Sequence, residues 1–220
     1  MHCIKKSKME GIYLMNYKMY KFSNSKRLRK RIFDIIFSFL GLLTLWWLIL
    51  IPFIISTFIH GENGFFIQTR IGRFGKKFKI LKIKTMKTNR NINTIITTSL
   101  DPRITRFGMF LRLTKVDELP QLINILIGDM SFVGPRPDVQ GFADKLEGKD
   151  RLILELRPGI TGPASLHYKN EETILANKSD PENYNKLVLW PTKVKLNLDY
   201  ALKHTLINDI KIIIRTILSF

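Results

Sequence analysis

A mainly helical α/β domain with an amino-terminal membrane helix is the fold class that this 220-residue sequence predicts, on three observations. Residues 35–59 carry no charged side chain over 25 positions. Residues 65–86 read as two short strands about a glycine turn, and apolar residues recur at helical spacing within 119–127 and 206–217. The length suits one ordinary domain plus a membrane segment.

The net charge of +18, from 36 basic and 18 acidic residues, implies a polyanionic partner: phosphates, nucleic acid or an anionic lipid surface. Cys3 is the single cysteine, which excludes an internal disulfide and agrees with a cytoplasm-facing protein. Residues 1–31 read as a basic arm, loosely ordered or interfacial, that ends in Lys26, Arg27, Arg29, Lys30 and Arg31.

Residues 32–60 are the expected membrane-embedded helix. At 1.5 Å per residue the uncharged run extends about 37 Å, enough for a hydrocarbon core of roughly 30 Å. A secretory signal would have a shorter apolar core nearer Met1 and a small-residue cleavage site. Cations flank the run on both sides, with Arg70, Arg73, Lys76, Lys77 and Lys79 downstream, so both ends favour the cytoplasm. Pro52 removes a helical donor and favours a break. A re-entrant helix–break–helix meets both observations, and a kinked single span is the alternative. Asp34 is expected at the interface, paired with a nearby cation, with Arg31 just before it.

Residues 61–220 form the expected compact catalytic domain. Its first part is a hairpin turning at Gly72 to Gly75, with Phe78, Ile80 and Lys82 sharing a face of the second strand. No acid lies between Glu62 and Asp101, so the hairpin is densely positive: an anchor for anionic lipid, or, with Phe65, Phe66, Phe74 and Phe78, a binder of single-stranded nucleic acid. The Gly-Arg-Phe-Gly-Lys run lacks the spacing and the hydroxyl of a P-loop. Asp101-Pro102-Arg103 reads as a turn after a loop over 88–104. A helix over 104–113, with Ile104, Phe107, Phe110 and Leu111 on one face, carries Arg112 toward Asp117 and Glu118. A second helix follows with Leu119, Leu122, Ile123, Leu126 and Ile127, Pro120 in its first turn and Gly128 closing it.

Asp117 and Glu118 support two readings. One is capping, with Asp117 as N-cap or Thr114 capping and Asp117 three residues on. The other is a nucleophilic Asp117 beside a helix N-terminus and arginines that attract phosphate. Adjacent carboxylates repel as anions and call for a bound cation or a shared proton, and Mg²⁺ suits that demand. Gly134-Pro135-Arg136-Pro137 is a rigid turn that holds Arg136 in a fixed direction, and Arg157-Pro158-Gly159 repeats the device. Arg112, Arg136 and Arg157 are therefore a candidate diphosphate clamp. Residues 170–187 read as a charged, Asn-rich surface. Lys193 to Phe220 read as a terminal amphipathic segment that packs on the core or lies in the membrane interface. Asp209 within it is either a helix-surface acid or part of the site. The four histidines are too scattered for a metal motif.

Taken as ordered blocks, Lys30-Arg31-Ile32-Phe33-Asp34, Gln68-Thr69-Arg70-Ile71-Gly72, Lys82 and Lys84, Arg112 with Asp117-Glu118, Gly128 to Pro137, and Arg157 to Gly162 resemble the bacterial sugar transferases. These are monotopic phosphoglycosyl transferases that move a phosphosugar from a nucleotide to a polyprenyl phosphate. The resemblance covers roughly residues 30–215 and implies a minimal member of that family. It implies that Asp117 attacks the β-phosphate of a UDP-sugar, releases UMP and holds the phosphosugar until undecaprenyl phosphate takes it. Glu118 would serve the metal or proton traffic, and Mg²⁺, with Asp117 among its ligands, would neutralise the phosphates. Arg112, Arg136 and Arg157 would grip them, with Lys82 and Lys84 as further phosphate candidates.

The implied partners are a UDP-sugar, undecaprenyl phosphate, anionic lipids and downstream glycosyltransferases, without nucleic acid. The implied place is the bacterial cytoplasmic membrane, at the start of surface glycan assembly. A non-catalytic membrane scaffold and a nucleic-acid-binding module are the alternatives. Two departures stand out: Ile51 precedes Pro52 where the family usually has Ser-Pro, and Pro163-Ala164-Ser165 stands where it often has Trp-Ala-Gln.

Overall fold

The computed structural model of the chain describes residues 24–88, 97–99 and 101–219. Most of the basic arm therefore lies outside the described residues, as does the middle of the 88–104 loop. Residues 24–31 belong to the first helix, α1, which runs unbroken over Asn24–His60. Lys and Arg are good helix formers, so the apolar run extends backward through them. The expected break near Pro52 is not there either: Pro52 lies inside the helix. Proline costs one backbone hydrogen bond, and an apolar helix packed on neighbours tolerates that loss.

Helix α1 has inverted polarity. Lys30, Asp34, Ser38, Pro52 and Ser56 face the domain, whereas Phe37, Leu40, Leu43, Trp47 and Phe58 are exposed. It touches the domain along its length. Arg27 pairs with Glu155 at 2.7 Å near one end, and Ser56 Oγ donates to the Lys84 carbonyl at 2.7 Å near the other. Arg31 donates to the Ile125 and Leu126 carbonyls at 2.6 and 2.7 Å. Asp34, expected to pair with a cation at the interface, is instead buried and accepts from Ser131 Oγ and the Phe132 N–H at 3.0 and 3.2 Å.

Strands β1 (Phe65–Ile71) and β2 (Lys77–Ile83) form the expected antiparallel hairpin, Phe65 opposite Ile83 and Ile71 opposite Lys77. Its aromatic residues do not make one stacking face. The Phe65 ring stacks on Phe53 of α1 at 4.3 Å, and Phe78 packs against the cluster of Ile80, Leu122, Ile125 and Met130. That division weakens the nucleic-acid reading. Helix α2 (Arg106–Thr114) starts at Thr105, whose Oγ1 accepts from the Gly108 N–H at 2.9 Å. Its expected apolar face is split: Leu111 is fully buried, while Phe110 points outward with Met109 and Leu113. Helix α3 (Gln121–Ile127) follows a short 3₁₀ turn, Val116–Glu118, and ends at Gly128, whose φ of 102° is the left-handed closure expected there.

Strands β3 (Ser131–Val133) and β4 (Gly159–Thr161) pair in parallel. Beyond them the Gly134 N–H donates to Thr161 O and the Gly159 N–H to Pro135 O, each at 2.9 Å. A Cβ on Gly134, Gly159 or Gly162 would collide with the facing backbone, so close approach explains these glycines. Short helices α4 (Pro163–His167), α5 (Glu171–Ala176) and α6 (Pro181–Tyr184) lead to α7 (Trp190–Leu202) and α8 (Leu206–Leu218).

The expected single terminal segment is thus two helices. Thr205 starts the second by accepting from the Asn208 N–H at 3.2 Å. Ile212 and Ile213 pack on Val133, Leu156, Tyr200 and Ala201, while Ile207, Ile210, Ile214 and Ile217 remain exposed.

Candidate active site

The acid pair lies in the 3₁₀ turn between α2 and α3, entered through Lys115 in the left-handed region at φ 56°. Neither capping arrangement is present. Pro120 occupies the position before α3 and offers no side-chain acceptor, and Thr114 Oγ1 donates to the Phe110 and Leu111 carbonyls at 2.9 and 3.2 Å. Val116 and Leu119, on either side of the pair, pack with Ile49, Ile83 and Leu111, which fixes the turn against α1 and β2.

The two carboxylates have different surroundings. Glu118 Oε1 accepts from Lys82 Nζ at 2.7 Å and from the half-exposed Arg136 at 3.1 Å. Burial pushes Glu118 up, yet the Lys82 and Arg136 charges outweigh it and hold the carboxyl well below its ordinary range. Burial also lowers Lys82, and Glu118 opposes that shift. Asp117 is 6% exposed, and its Oδ1 is buried without a hydrogen-bond partner. Burial first, and the Glu118 charge second, push Asp117 up to about 6, with Lys82, Arg112 and Lys115 opposing.

Lys82, Asp117, Glu118 and Arg136 therefore come together, with Arg112 close enough to act on Asp117. Arg112 itself pairs with Glu172 of α5 and touches Met86 sulfur at 3.9 Å. Arg157 turns away from the acid pair: its Nε donates to Gly128 O at 2.7 Å, closing α3. Lys84 pairs with Glu62 at 2.5 Å, below the end of α1. Gly134, Pro135, Pro137 and Gly159 build the turn that carries Arg136, and the Pro137 carbonyl accepts from Arg70 at 3.2 Å.

Several residues escaped the sequence reading. Glu171 pairs with Lys193 at 2.5 Å, so the stretch expected to be plain surface faces the site cations through two acids. Asp138, beside Arg70, Arg136 and Lys193, is raised to about 7 by burial. Gln121 keeps a buried Nε2 without a partner. Asp209, read as equally suited to a helix surface, is 1% exposed and accepts from Lys30 at 2.6 Å and Tyr200 at 2.5 Å, with His204 Nε2 3.3 Å away.

Magnesium binds few protein carboxylates and completes its shell with water and phosphate oxygens. The residues fit that habit. Asp117 Oδ1 is free of protein donors, and no group of three or more His, Cys, Asp or Glu able to cage a metal stands among the described residues.

Residues 25–220 match the family described as bacterial sugar transferase. The galactosyl transferase CpsE of Streptococcus agalactiae is 30% identical over 226 residues, covering 94% of this chain and 45% of that protein. The exopolysaccharide production protein ExoY of Sinorhizobium fredii is 31% identical over 204 residues, 86% of this chain and 83% of the relative. The UDP-glucose:undecaprenyl-phosphate glucose-1-phosphate transferase of Escherichia coli is 37% identical over 157 residues, 69% of this chain and 31% of the relative. The chain spans less than half the length of the first and third of these. With a match over nearly its whole length, the chain belongs to the bacterial sugar transferase family.

Proposed function

We propose that the chain transfers a sugar 1-phosphate from a UDP-sugar to undecaprenyl phosphate, starting assembly of a surface glycan at the cytoplasmic face of the bacterial inner membrane. The observation that carries this reading is the buried, unpartnered Asp117 Oδ1 among Lys82, Arg112 and Arg136. A carboxylate without a donor, in a low-dielectric site lined by cations, is a nucleophile placed where a diphosphate would bind. A carboxyl held near 6 is ionised at neutral pH.

The Asp117 oxygen attacks the β-phosphorus of the UDP-sugar. The bond from that phosphorus to the oxygen bridging it to the α-phosphate breaks, and UMP leaves with the electron pair. An oxygen of undecaprenyl phosphate then attacks the same phosphorus and displaces Asp117 as carboxylate, giving undecaprenyl-diphosphate-sugar. Arg136 and Arg112 orient phosphate oxygens, and Glu118 holds Lys82 and Arg136 in place. Mg²⁺, when bound, neutralises phosphate charge. Arg157 and Lys84, through Gly128 and Glu62, support the fold around the site.

Membrane placement follows from α1. Its outer face is apolar and both of its ends pack on one domain, which supports re-entry from a single face over a span. Maleimide labelling of single cysteines placed on either flank, in a Cys3→Ser background in sealed vesicles, tests it; flanks reached from opposite faces would sink re-entry.

The reaction is tested by UMP release from the solubilised protein with Mg²⁺, undecaprenyl phosphate and a panel of UDP-sugars, beside Asp117→Asn. Release with one donor that the substitution abolishes is expected. Absence of release with every donor, in folded protein, would favour a membrane scaffold.

A further inference from the structure

A groove of about 350 Å³ lies between α1, the start of β1 and α3. Leu42, Trp46, Ile49 and Phe53 form its α1 wall, and Phe65 and Ile123 stand opposite; Leu50 completes a lining that is entirely apolar. The volume falls in the roughly 300–1,000 Å³ range of small-molecule sites. Trp46 and Leu50, both exposed, lie on the same lipid-compatible face as Leu43 and Phe37.

We propose that this groove holds the isoprenoid chain next to the phosphate of the lipid acceptor. The proposal rests on the transfer reaction above and gives the acceptor's tail its place. The groove and the acid turn are built on one packed unit. Leu42, Ile49, Phe53 and Phe65 belong to the cluster that contains Ile83, Leu111, Val116 and Leu119. Val116 and Leu119 bracket Asp117 and Glu118, and Ile83 follows Lys82, the lysine that binds Glu118.

An amphiphile seated here therefore has apolar walls for its tail and the Lys82, Arg112 and Arg136 cations for its head. Those cations complement a phosphate, and the phosphate that must reach Asp117 in the second displacement is the acceptor's. A bilayer phospholipid acyl chain is the competing occupant, and it has no reason to select for a phosphate at the acid pair.

The test uses Asp117→Asn protein in nanodiscs, so that labelling is independent of turnover. The probe is a polyprenyl phosphate with a diazirine in its first isoprene units. Labelling is expected in peptides carrying residues 42–53 or Ile123, competed by excess undecaprenyl phosphate and not by equal phosphatidylglycerol. In otherwise native protein, Leu50→Trp narrows the groove from its exposed rim. It is expected to raise the KM for undecaprenyl phosphate at least tenfold, leaving UMP released in a single turnover without acceptor unchanged. Leu43→Trp, exposed outside the groove, is expected to alter neither.

Labelling outside the groove, or equal competition by phosphatidylglycerol, overturns the assignment, and so does an unchanged KM in Leu50→Trp. Loss of acceptor-free UMP release from the native protein would instead remove the covalent reaction, while competed labelling would still support a lipid-phosphate groove.

Discussion

Lys82 and Glu118 are joined by a 2.7 Å ion pair, and Arg136 reaches the same carboxylate oxygen at 3.1 Å, so one acid of the pair is saturated while its neighbour Asp117 is left free. The opposite shifts of the two carboxyls follow from this division. One is anchored as an anion that organises cations, and the other is raised toward neutrality by burial and by that anion.

The first prediction concerns pH. Formation of the phosphosugar intermediate needs Asp117 as carboxylate, so its rate is expected to fall tenfold per pH unit below about 6. Glu118→Gln removes the repelling anion and frees Lys82 and Arg136. Its acid limb is expected to move below 6, whatever the loss in rate. Asp138→Asn is expected to leave the limb in place, because Asp138 is not among the charges that shift Asp117. A pH profile of single-turnover UMP release checks all three, and a Glu118→Gln limb at or above that of the native protein would contradict the electrostatic account.

The same shift predicts a stability effect of definite sign. A carboxyl whose folded value lies above its unfolded one opposes folding above about pH 6, and the opposition fades as pH falls toward 3.8. Asp117→Asn is therefore expected to raise the thermal midpoint at pH 7.5, by an amount on the order of 1–3 kcal/mol, with the gain gone near pH 4. Paired melts at the two pH values check it. A uniform gain across pH would point to packing instead.

Arg112 is held by Glu172 at the start of α5, where a substrate phosphate would compete for it. Glu172→Gln is expected to release Arg112 and lower the KM for the nucleotide sugar about two- to tenfold. Stability should change by less than about 1 kcal/mol, because Glu172 is half exposed. Initial rates against donor concentration decide it, and a raised KM would mean that Glu172 positions Arg112 for substrate.

The acid pair was legible because its two residues are adjacent in a turn between two periodic helices, and Arg136 because prolines flank it. Which cation meets which acid was not legible. Lys82 lies 36 residues before Glu118, and sequence chemistry alone ranks it with Lys84, whose side chain goes to Glu62. Arg157 has the same rigid flanks as Arg136 but meets a carbonyl, a difference set by strand pairing and not by local residues. Glu171 and Glu172 have the pattern of any acidic first turn, whether it faces water or an arginine. Helical period put Asp209 near a polar face, but its burial depends on Lys30, 179 residues earlier. The hairpin and the Gly128 closure were readable because they are local; the division of Lys193 to Phe220 into two helices was missed, although Thr205 is a local cap.

The Lys30–Asp209 pair supports the last prediction. Lys30 is 8% and Asp209 1% exposed, and Lys30 Nζ also donates to Val133 O at 2.9 Å, just before the turn that carries Arg136. Removing one partner leaves a buried charge without compensation, so Lys30→Met is expected to destabilise the protein by about 3–5 kcal/mol. In Lys30→Met with Asp209→Leu the orphaned carboxylate is gone, and the loss is expected to be well below the sum of the single losses. Tyr200, which donates to Asp209 at 2.5 Å, and His204 supply the remaining polar contacts, so some loss persists in the double variant. If α1 is held to the domain mainly by its apolar contacts, the two losses will add. If this buried pair holds it, they will not, and a double-mutant cycle on denaturant unfolding in mixed micelles separates the two.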